Sequence, residues 1–387
     1  MTMSDLSLSD LSYPDLPYAG YEIAGPPPVV VPVVPHALHP VPPAPAFDPL
    51  APLAQRTVSL GGPIVATPAT FTVSARLRGR DVLNDTDLTP DEIGDLLDTA
   101  GRLKRLHRKG EPHTYLPGKT LGMIFQHPST RTRVSFEAGM TQLGGRSIFL
   151  GTSDLQLSRG ETIPDTAAIL SRYVDAIVAR VADHANLVAL AQGANVPVFN
   201  GLSDKSHPLQ ALSDLLTIKE RTGDLAGVKL AYVGDGGNNM AASLLLAGAA
   251  MGVHVTVAAP AGLQPTPAVL THARWLAGAG GVGSGATITV TDDPLAAVAG
   301  ADVVYTDVHV SLGQANGAAR AVTLAPYKVT PAMMAAARPS AIFMHCLPMH
   351  RGEEVDAEVA DGPQSVIFEQ AENRLHLQKA LLLMAMC

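Results

Sequence analysis

Five consecutive residues, Ser129-Thr130-Arg131-Thr132-Arg133, bring hydroxyls and guanidinium groups to the start of one predicted helix. The apolar run 121–125 before them reads as a buried strand, and 134–140 after them has helical spacing. With Ser129 as N-cap, the free N–H groups and the positive dipole end of that first turn favour an anion, and Arg131 adds a forked cation. A phosphate monoester is the natural guest, because the fork matches two of its oxygens while N–H groups and threonine hydroxyls take the others.

Other polar residues fall in the same kind of place, directly after a predicted strand. They are Gln156 and Arg159, then Arg180, then His207-Pro208-Leu209-Gln210, then Asn238-Asn239, Asp307, and His345-Cys346-Leu347-Pro348. In an open α/β sheet, ligands bind outside the carboxyl ends of the strands, so all these sets share one edge. Arg131, Arg180, His207 and Gln210 suit a phosphate joined to a carbonyl. An imidazole at a helix N-terminus is pushed towards its neutral form, in which it can donate to a carbonyl oxygen. Asn239 and Asp307 suit an amino-acid zwitterion, the carboxylate pairing with its ammonium and the amide with its carboxylate. Cys346 with His345 and His350 matches no standard zinc spacing, so no metal is expected. The loop Gly234-Asp235-Gly236-Gly237-Asn238-Asn239 approaches a dinucleotide fingerprint but has Asn239 at the third glycine position, so no cofactor is expected either.

The elements that must position these groups follow an α/β alternation. Strands are predicted near 120–125, 146–150, 175–180 and 196–200, with helices near 129–143, 162–172, 183–193 and 207–221. A second series has strands near 228–233, 253–258, 287–291, 301–306 and 340–345, with helices near 239–251, 266–277, 293–299, 331–337 and 352–360. Such alternation implies two doubly wound parallel-sheet domains with the active site in the cleft between them. Thr89 with Pro90 opens an earlier helix, and an apolar helix near 370–386 closes the series. The glycine-rich stretch 278–285 reads as a flexible connection. Residues 1–75 hold 15 of the 31 prolines and six charged residues, so they are expected to be a disordered, proline-rich segment. The domains are then 76–220 and 221–369, with 370–387 packing back on the first.

The formal charge of −8 over 387 residues and the pI near 5.9 argue against a nucleic-acid partner. Two cysteines, Cys346 and Cys387, make no disulfide framework and fit a reducing cytoplasm. No apolar run reaches the ~20 residues of a membrane span. The first basic residue is Arg56, which is unlike a signal or transit peptide.

Taken together, Ser129 to Arg133, His207 to Gln210, Asp307 with Ser311-Leu312-Gly313, and His345 to Pro348 followed by His350-Arg351-Gly352 resemble the ornithine carbamoyltransferases from about Arg76 onward. The resemblance implies transfer of a carbamoyl group from carbamoyl phosphate to the side-chain amine of L-ornithine, giving citrulline and phosphate. By the same likeness, Ser129, Thr130, Arg131, Thr132 and Arg133 bind the phosphate and Gln156 is a further contact. Arg180, His207, Gln210 and Arg374 hold the carbamoyl end. Asn239, Asp307, Ser311 and Leu312 match ornithine-binding positions, and Cys346 and Leu347 lie against both substrates. Arg180, His207, Asp307 and Cys346 are the expected catalytic groups, in a homotrimer or assembly of trimers in the cytoplasm. His127, His309 and Leu312 depart from the family pattern, which leaves putrescine, acetylornithine or aspartate as alternative acceptors.

Overall fold

A capping box starts the ordered architecture: Thr89 accepts from the N–H of Glu92, and the Glu92 carboxylate accepts from the N–H of Thr89. With Pro90 at the first turn, this launches α1 (Pro90–Arg108). The computed structural model describes residues 73–310 and 317–387, apart from the side chain of residue 158. All of them belong to one unit, Ile64–Cys387. The expectation of a disordered 1–75 segment falls almost wholly outside the described residues.

The first half then alternates β1 (Thr120–Phe125), α2 (Thr130–Gln142), β2 (Arg146–Gly151), α3 (Ile163–Leu170), β3 (Ala176–Arg180), α4 (His184–Gly193), β4 (Val198–Leu202) and α5 (Pro208–Thr222). Its four strands are all parallel, in the order β2-β1-β3-β4. Beyond β4, Val82 adds a parallel bridge to Phe199, which covers that edge.

The second half runs β5 (Lys229–Val233), α6 (Asn239–Ala250), β6 (His254–Ala258), α7 (Pro267–Ala277), β7 (Ile288–Thr291), α8 (Pro294–Val298), β8 (Val303–Thr306), α9 (Gly317–Leu324), α10 (Pro331–Ala336), β9 (Ile342–His345), α11 (Ala357–Ala360) and α12 (Ile367–Met386). Its order is β7-β6-β5-β8-β9, again all parallel. In each sheet the chain reverses its direction of strand addition once, between β1 and β3 and between β5 and β8. Those switch points are where the helices on either side diverge and leave a crevice.

Both faces of each sheet are covered. One continuous apolar core takes in Leu96, Phe136, Phe199, Leu215, Leu245, Tyr305 and Leu381, so it runs through α1, α2, α5, α6 and α12. Separate clusters around Ile177 and Leu187, and around Val304 and Phe343, fill the opposite faces. The helix α12 turns back to lie against α1, α2 and α5, and Leu377, Leu381 and Leu382 on it are fully buried. Each such side chain contributes about 2 kcal/mol of hydrophobic stabilisation.

Three elements differ from the sequence expectation. The helix expected over 352–360 shrinks to α11, because Gly352 takes a left-handed φ of 92° and Asp356 occupies the N-cap position. An additional helix, α9, follows the undescribed residues 311–316. The stretch 278–285 is pinned: Gly283 donates to the Leu276 carbonyl at 3.2 Å, Gly285 to that of Ala277 at 3.1 Å, and the Ser284 hydroxyl to that of Ala249.

Candidate active site

At the carboxyl end of β1, Ser129 caps α2, its Oγ accepting from the N–H of Thr132 at 3.3 Å. This turn buries the Thr132 side chain and directs Arg131 across to the other half of the molecule. There Nη2 of Arg131 donates to the Leu347 carbonyl at 2.6 Å. The backbone of Leu347 presents that carbonyl from a left-handed conformation, φ 62°. Arg180 ends β3, opposite Phe125 in the register with β1. From the far end of the chain, Arg374 on α12 donates through Nη2 to Thr132 Oγ1 at 3.0 Å and through Nη1 to Gln210 Oε1.

Three arginines are thereby gathered, and among the described residues no carboxylate is hydrogen-bonded to them. Burial is the largest influence on each; the charge of Arg131 adds to it at Arg180 and Arg374, which are both pushed down to about 10, whereas at Arg131, lowered as well, Cys346 and Asp307 oppose it. At that value the guanidiniums keep their charge at neutral pH. The Nε atoms of Arg180 and Arg374 are buried and unpartnered. Buried cations to which no carboxylate is hydrogen-bonded are costly unless an anion joins them.

His207 is the N-cap residue of α5, yet its side chain makes no capping bond. Its backbone N–H donates to Ser243 Oγ at 2.8 Å, and the imidazole faces the arginines with Nδ1 unpartnered. Burial first, then Arg374, Arg180 and Arg131, hold its pKa well below the usual histidine range. The ring is therefore neutral and carries one N–H to donate.

The second half contributes groups of opposite character. Asp307 follows β8; its Oδ1 accepts from the Cys346 thiol at 3.2 Å and from the N–H of Val308 at 2.8 Å, and its Oδ2 accepts from Asn238 Nδ2 at 3.3 Å. Burial and the Asp307 charge push the Cys346 thiol up, so it stays protonated and donates. Asn239 Nδ2 donates to the Ser203 carbonyl at 2.8 Å and ties α6 to the loop after β4. His309 is buried with Nε2 unpartnered, and burial lowers its pKa.

Not every residue singled out in the sequence joins this cluster. Thr130 is exposed. Arg133 turns outward, donating to Glu137 at 3.0 Å with its guanidinium 3.8 Å above the Phe149 ring. Gln156 is exposed on a short 3-10 turn, Gln156–Arg159. Ser311 and Leu312 lie outside the described residues. Conversely, Asn238 is named beside Asn239 in the sequence reading but given no role, although its amide bridges Tyr232 and Asp307, and Ser243 is passed over. Reading the loop for glycines hides that Asn238 is also the cap of α6, its Oδ1 accepting from the N–H of Ala241 at 2.8 Å.

Asp307, His345 and Cys346 bring potential ligand atoms within 4.8 Å of one another. The imidazole of His345 is spoken for on both sides: Nδ1 accepts from the N–H of Leu347 at 2.8 Å and Nε2 lies 3.2 Å from Glu354 Oε1. It has no lone pair left to offer a metal, so this set does not fit one.

Comparison with known proteins places the chain among relatives. The family model for the carbamoyl-P binding domain of aspartate/ornithine carbamoyltransferase matches residues 80–220, and the model for the Asp/Orn binding domain of the same family matches residues 226–385. The ornithine carbamoyltransferase of Anoxybacillus flavithermus is 53% identical over 313 residues, which are 81% of this chain and 98% of that protein. An anabolic ornithine carbamoyltransferase from Pyrococcus furiosus is 52% identical over 311 residues, 80% of this chain and 97% of that protein. A solved ornithine carbamoyltransferase structure from Pyrococcus furiosus superposes with a TM-score of 0.76 at 52% identity, covering 80% of this chain and 98% of that one. One from Thermus thermophilus gives 0.71 at 39% identity, covering 82% and 100%.

Proposed function

The chain belongs to the aspartate/ornithine carbamoyltransferase family, and from that membership we infer that it transfers the carbamoyl group of carbamoyl phosphate to the side-chain amine of L-ornithine, giving L-citrulline and phosphate. The observation that carries this reading is the meeting of two opposite chemistries at one crevice. Arg131, Arg180 and Arg374 face an undischarged demand for an anion, while Asp307 and Cys346 form a carboxylate and thiol pair beside them. In this reading residues 76–220 bind carbamoyl phosphate, 221–369 bind ornithine, and 370–387 return Arg374 to the first site.

The mechanism follows from the groups. Carbamoyl phosphate is held by the α2 N-terminus, Arg131 and Thr132, with Arg180, His207, Gln210 and Arg374 around its carbamoyl end. Ser129 completes the phosphate side as the cap of that turn, and Cys346 and Leu347 close it from the other half, while Thr130, Arg133 and Gln156 stand outside the cluster. Asn239 and Asp307, with Ser311 and Leu312, take the amino-acid end of ornithine. The ornithine amine has a pKa near that of lysine, about 10.4, and must lose a proton before it attacks. The Cys346 thiol, held by Asp307 at 3.2 Å, orients the free amine towards the carbamoyl carbon. A C–N bond forms, and negative charge develops on the carbamoyl oxygen. The neutral N–H of His207, the Thr132 hydroxyl and Arg180 are the donors that stabilise it. Collapse breaks the bond to phosphate, which leaves against Arg131 and takes up the proton that the amine sheds. Holding two substrates in line supplies much of the acceleration.

The enzyme is also proposed to act in the cytoplasm as a homotrimer or an assembly of trimers. Among the described residues no helix is long and apolar enough to cross a membrane. The strand β2 lies at the edge of its sheet, with Ile148 on it and Val134 on α2 both exposed. Sedimentation at the mass of a single chain would remove the trimer.

The test of the reaction is ureido-product formation from carbamoyl phosphate with ornithine, putrescine, acetylornithine or aspartate as acceptor. Citrulline from ornithine is the expected product. Product from another acceptor alone would overturn the roles given to Asn239 and Asp307.

A further inference from the structure

One buried carboxylate is left over from the chemistry above. Asp214 lies on α5, one turn beyond Gln210, and is fully buried. Its Oδ1 accepts from Gln210 Nε2 at 2.8 Å and from Gln370 Nε2 at 2.8 Å; its Oδ2 accepts from the Tyr305 hydroxyl at 2.9 Å. Those partners come from three elements, α5, α12 and β8. Through Gln370 the connection reaches a fourth, because Gln370 Oε1 accepts from the N–H of His345 at 2.9 Å, one residue before Cys346.

The importance of this arrangement lies in the two-ended nature of an amide. A glutamine side chain can sit either way round at nearly equal shape, with its oxygen and its NH2 exchanged. Gln210 serves the site only if its oxygen faces Arg374, since the reverse would set two donors against each other. An ionised carboxylate accepts and never donates, so Asp214 can be met only by the NH2 end of Gln210, and the oxygen is thereby sent to Arg374. The same logic orients Gln370 and sends its oxygen to the backbone of β9. We propose that Asp214 is a positioning residue for carbamoyl transfer, fixing which end of Gln210 and Gln370 faces outward and so holding Arg374 and the strand leading to Cys346 in one arrangement.

The carboxylate is also placed to report on its proton. Burial pushes Asp214 up to about 7, against the opposing hydrogen bonds of Gln210, Gln370 and Tyr305 and the charge of Arg374. The titratable and charged groups around it are Arg374 on α12, Tyr305 on β8 and Cys346 after β9. A proton on Oδ2 is tolerated if the Tyr305 hydroxyl turns to accept it. A proton on Oδ1 collides with both amide groups and releases the glutamines to flip.

This inference rests on the reading under Proposed function, and its test separates the two. Steady-state kinetics from pH 5.5 to 9 and thermal midpoints would be measured for the unmodified chain, Asp214→Ala, Asp214→Asn and Tyr305→Phe. Asp214→Ala is expected to lower kcat/KM for carbamoyl phosphate about 100-fold with the KM for ornithine within about threefold, the size of loss seen when one oriented donor is disturbed. Asp214→Asn, which keeps an acceptor oxygen for the two amides, should recover most of that loss while removing the titration near neutrality. Tyr305→Phe should move that titration to higher pH, because a hydrogen bond to the charged form is lost. Should Asp214→Ala fail to fold, the pH profiles of the other two variants decide. An apparent pKa unchanged in both, or equal losses in Asn and Ala that track the thermal midpoint and both KM values, would overturn the positioning role. No citrulline from the unmodified chain would instead strike the premise, and this inference with it.

Discussion

The single helix α12 takes part in two basic clusters that solve the same electrostatic problem in opposite ways. Towards the crevice, Arg374 stands with Arg131, Arg180 and a neutral His207. Towards α1 and α2, Lys379 donates to Gln142 Oε1 at 2.8 Å and lies 3.2 Å from His113 Nε2, while the His376 ring is 5.7 Å from that of His107. Burial is the first cause of every shift in both. In the second cluster, the histidines give up their charge: His376 is pushed down to about 3, and His107 and His113 are lowered too. Lys379 is brought down to about 8, one step above neutrality. In the first cluster the guanidiniums cannot follow: Arg180 and Arg374, at about 10, remain cations. Where only packing is needed, the chain uses bases that can shed a proton. Where, in the proposed function, a dianion is to be caught, it uses a base that cannot.

The largest test of this contrast is Arg131→Ala. It should lower kcat/KM for carbamoyl phosphate about 1000-fold. It should also abolish the stabilisation by ligand, about 2.7 kcal/mol at a hundredfold excess over Kd. Without ligand the thermal midpoint should hold or rise, because one buried repulsion is gone; a clear fall would mean that the arginines brace the fold. A smaller effect, with activity untouched, is expected of Lys379→Met. A folded-state pKa depressed from 10.5 to about 8 means that wild-type stability declines as pH falls from 10.5 through 8 and stays reduced below. Methionine fills the space without that penalty, so at pH 7 it should add up to about 3 kcal/mol, and the gain should vanish as pH approaches 10.5. A loss at pH 7, or altered kinetics, would erase the distinction between the clusters.

The strands were legible because most are short apolar runs, and those that reach the crevice, β1, β3, β8 and β9, end at or just before a polar residue. Predicted and observed starts for β1, β5 and β9 differ by at most two residues. Ser129, Arg180, His207 and Asp307 could be listed from that rule alone. Harder to read were contacts that unite distant segments. Gln210 with Asp214 and Gln370 with Arg374 are each spaced i,i+4, which marks one face of a helix. Nothing in either pair says that the two faces meet, since 156 positions separate Asp214 from Gln370. Arg133 shows the reverse error of grouping by adjacency: one residue past Thr132, the helix has already turned its side chain to solvent.

Because Arg374 and Gln370 ride on α12, the pocket is completed from the last element described. On the ribosome, both sheets can form while the chain is still growing, yet the crevice has no Arg374 until synthesis has passed that codon. A product cut or stalled between residues 345 and 370 would carry the Ser129 turn, Asp307 and His345 and still lack the clasp that joins Thr132 to Gln210. Placing that clasp late makes catalysis a report on whether translation ran through it.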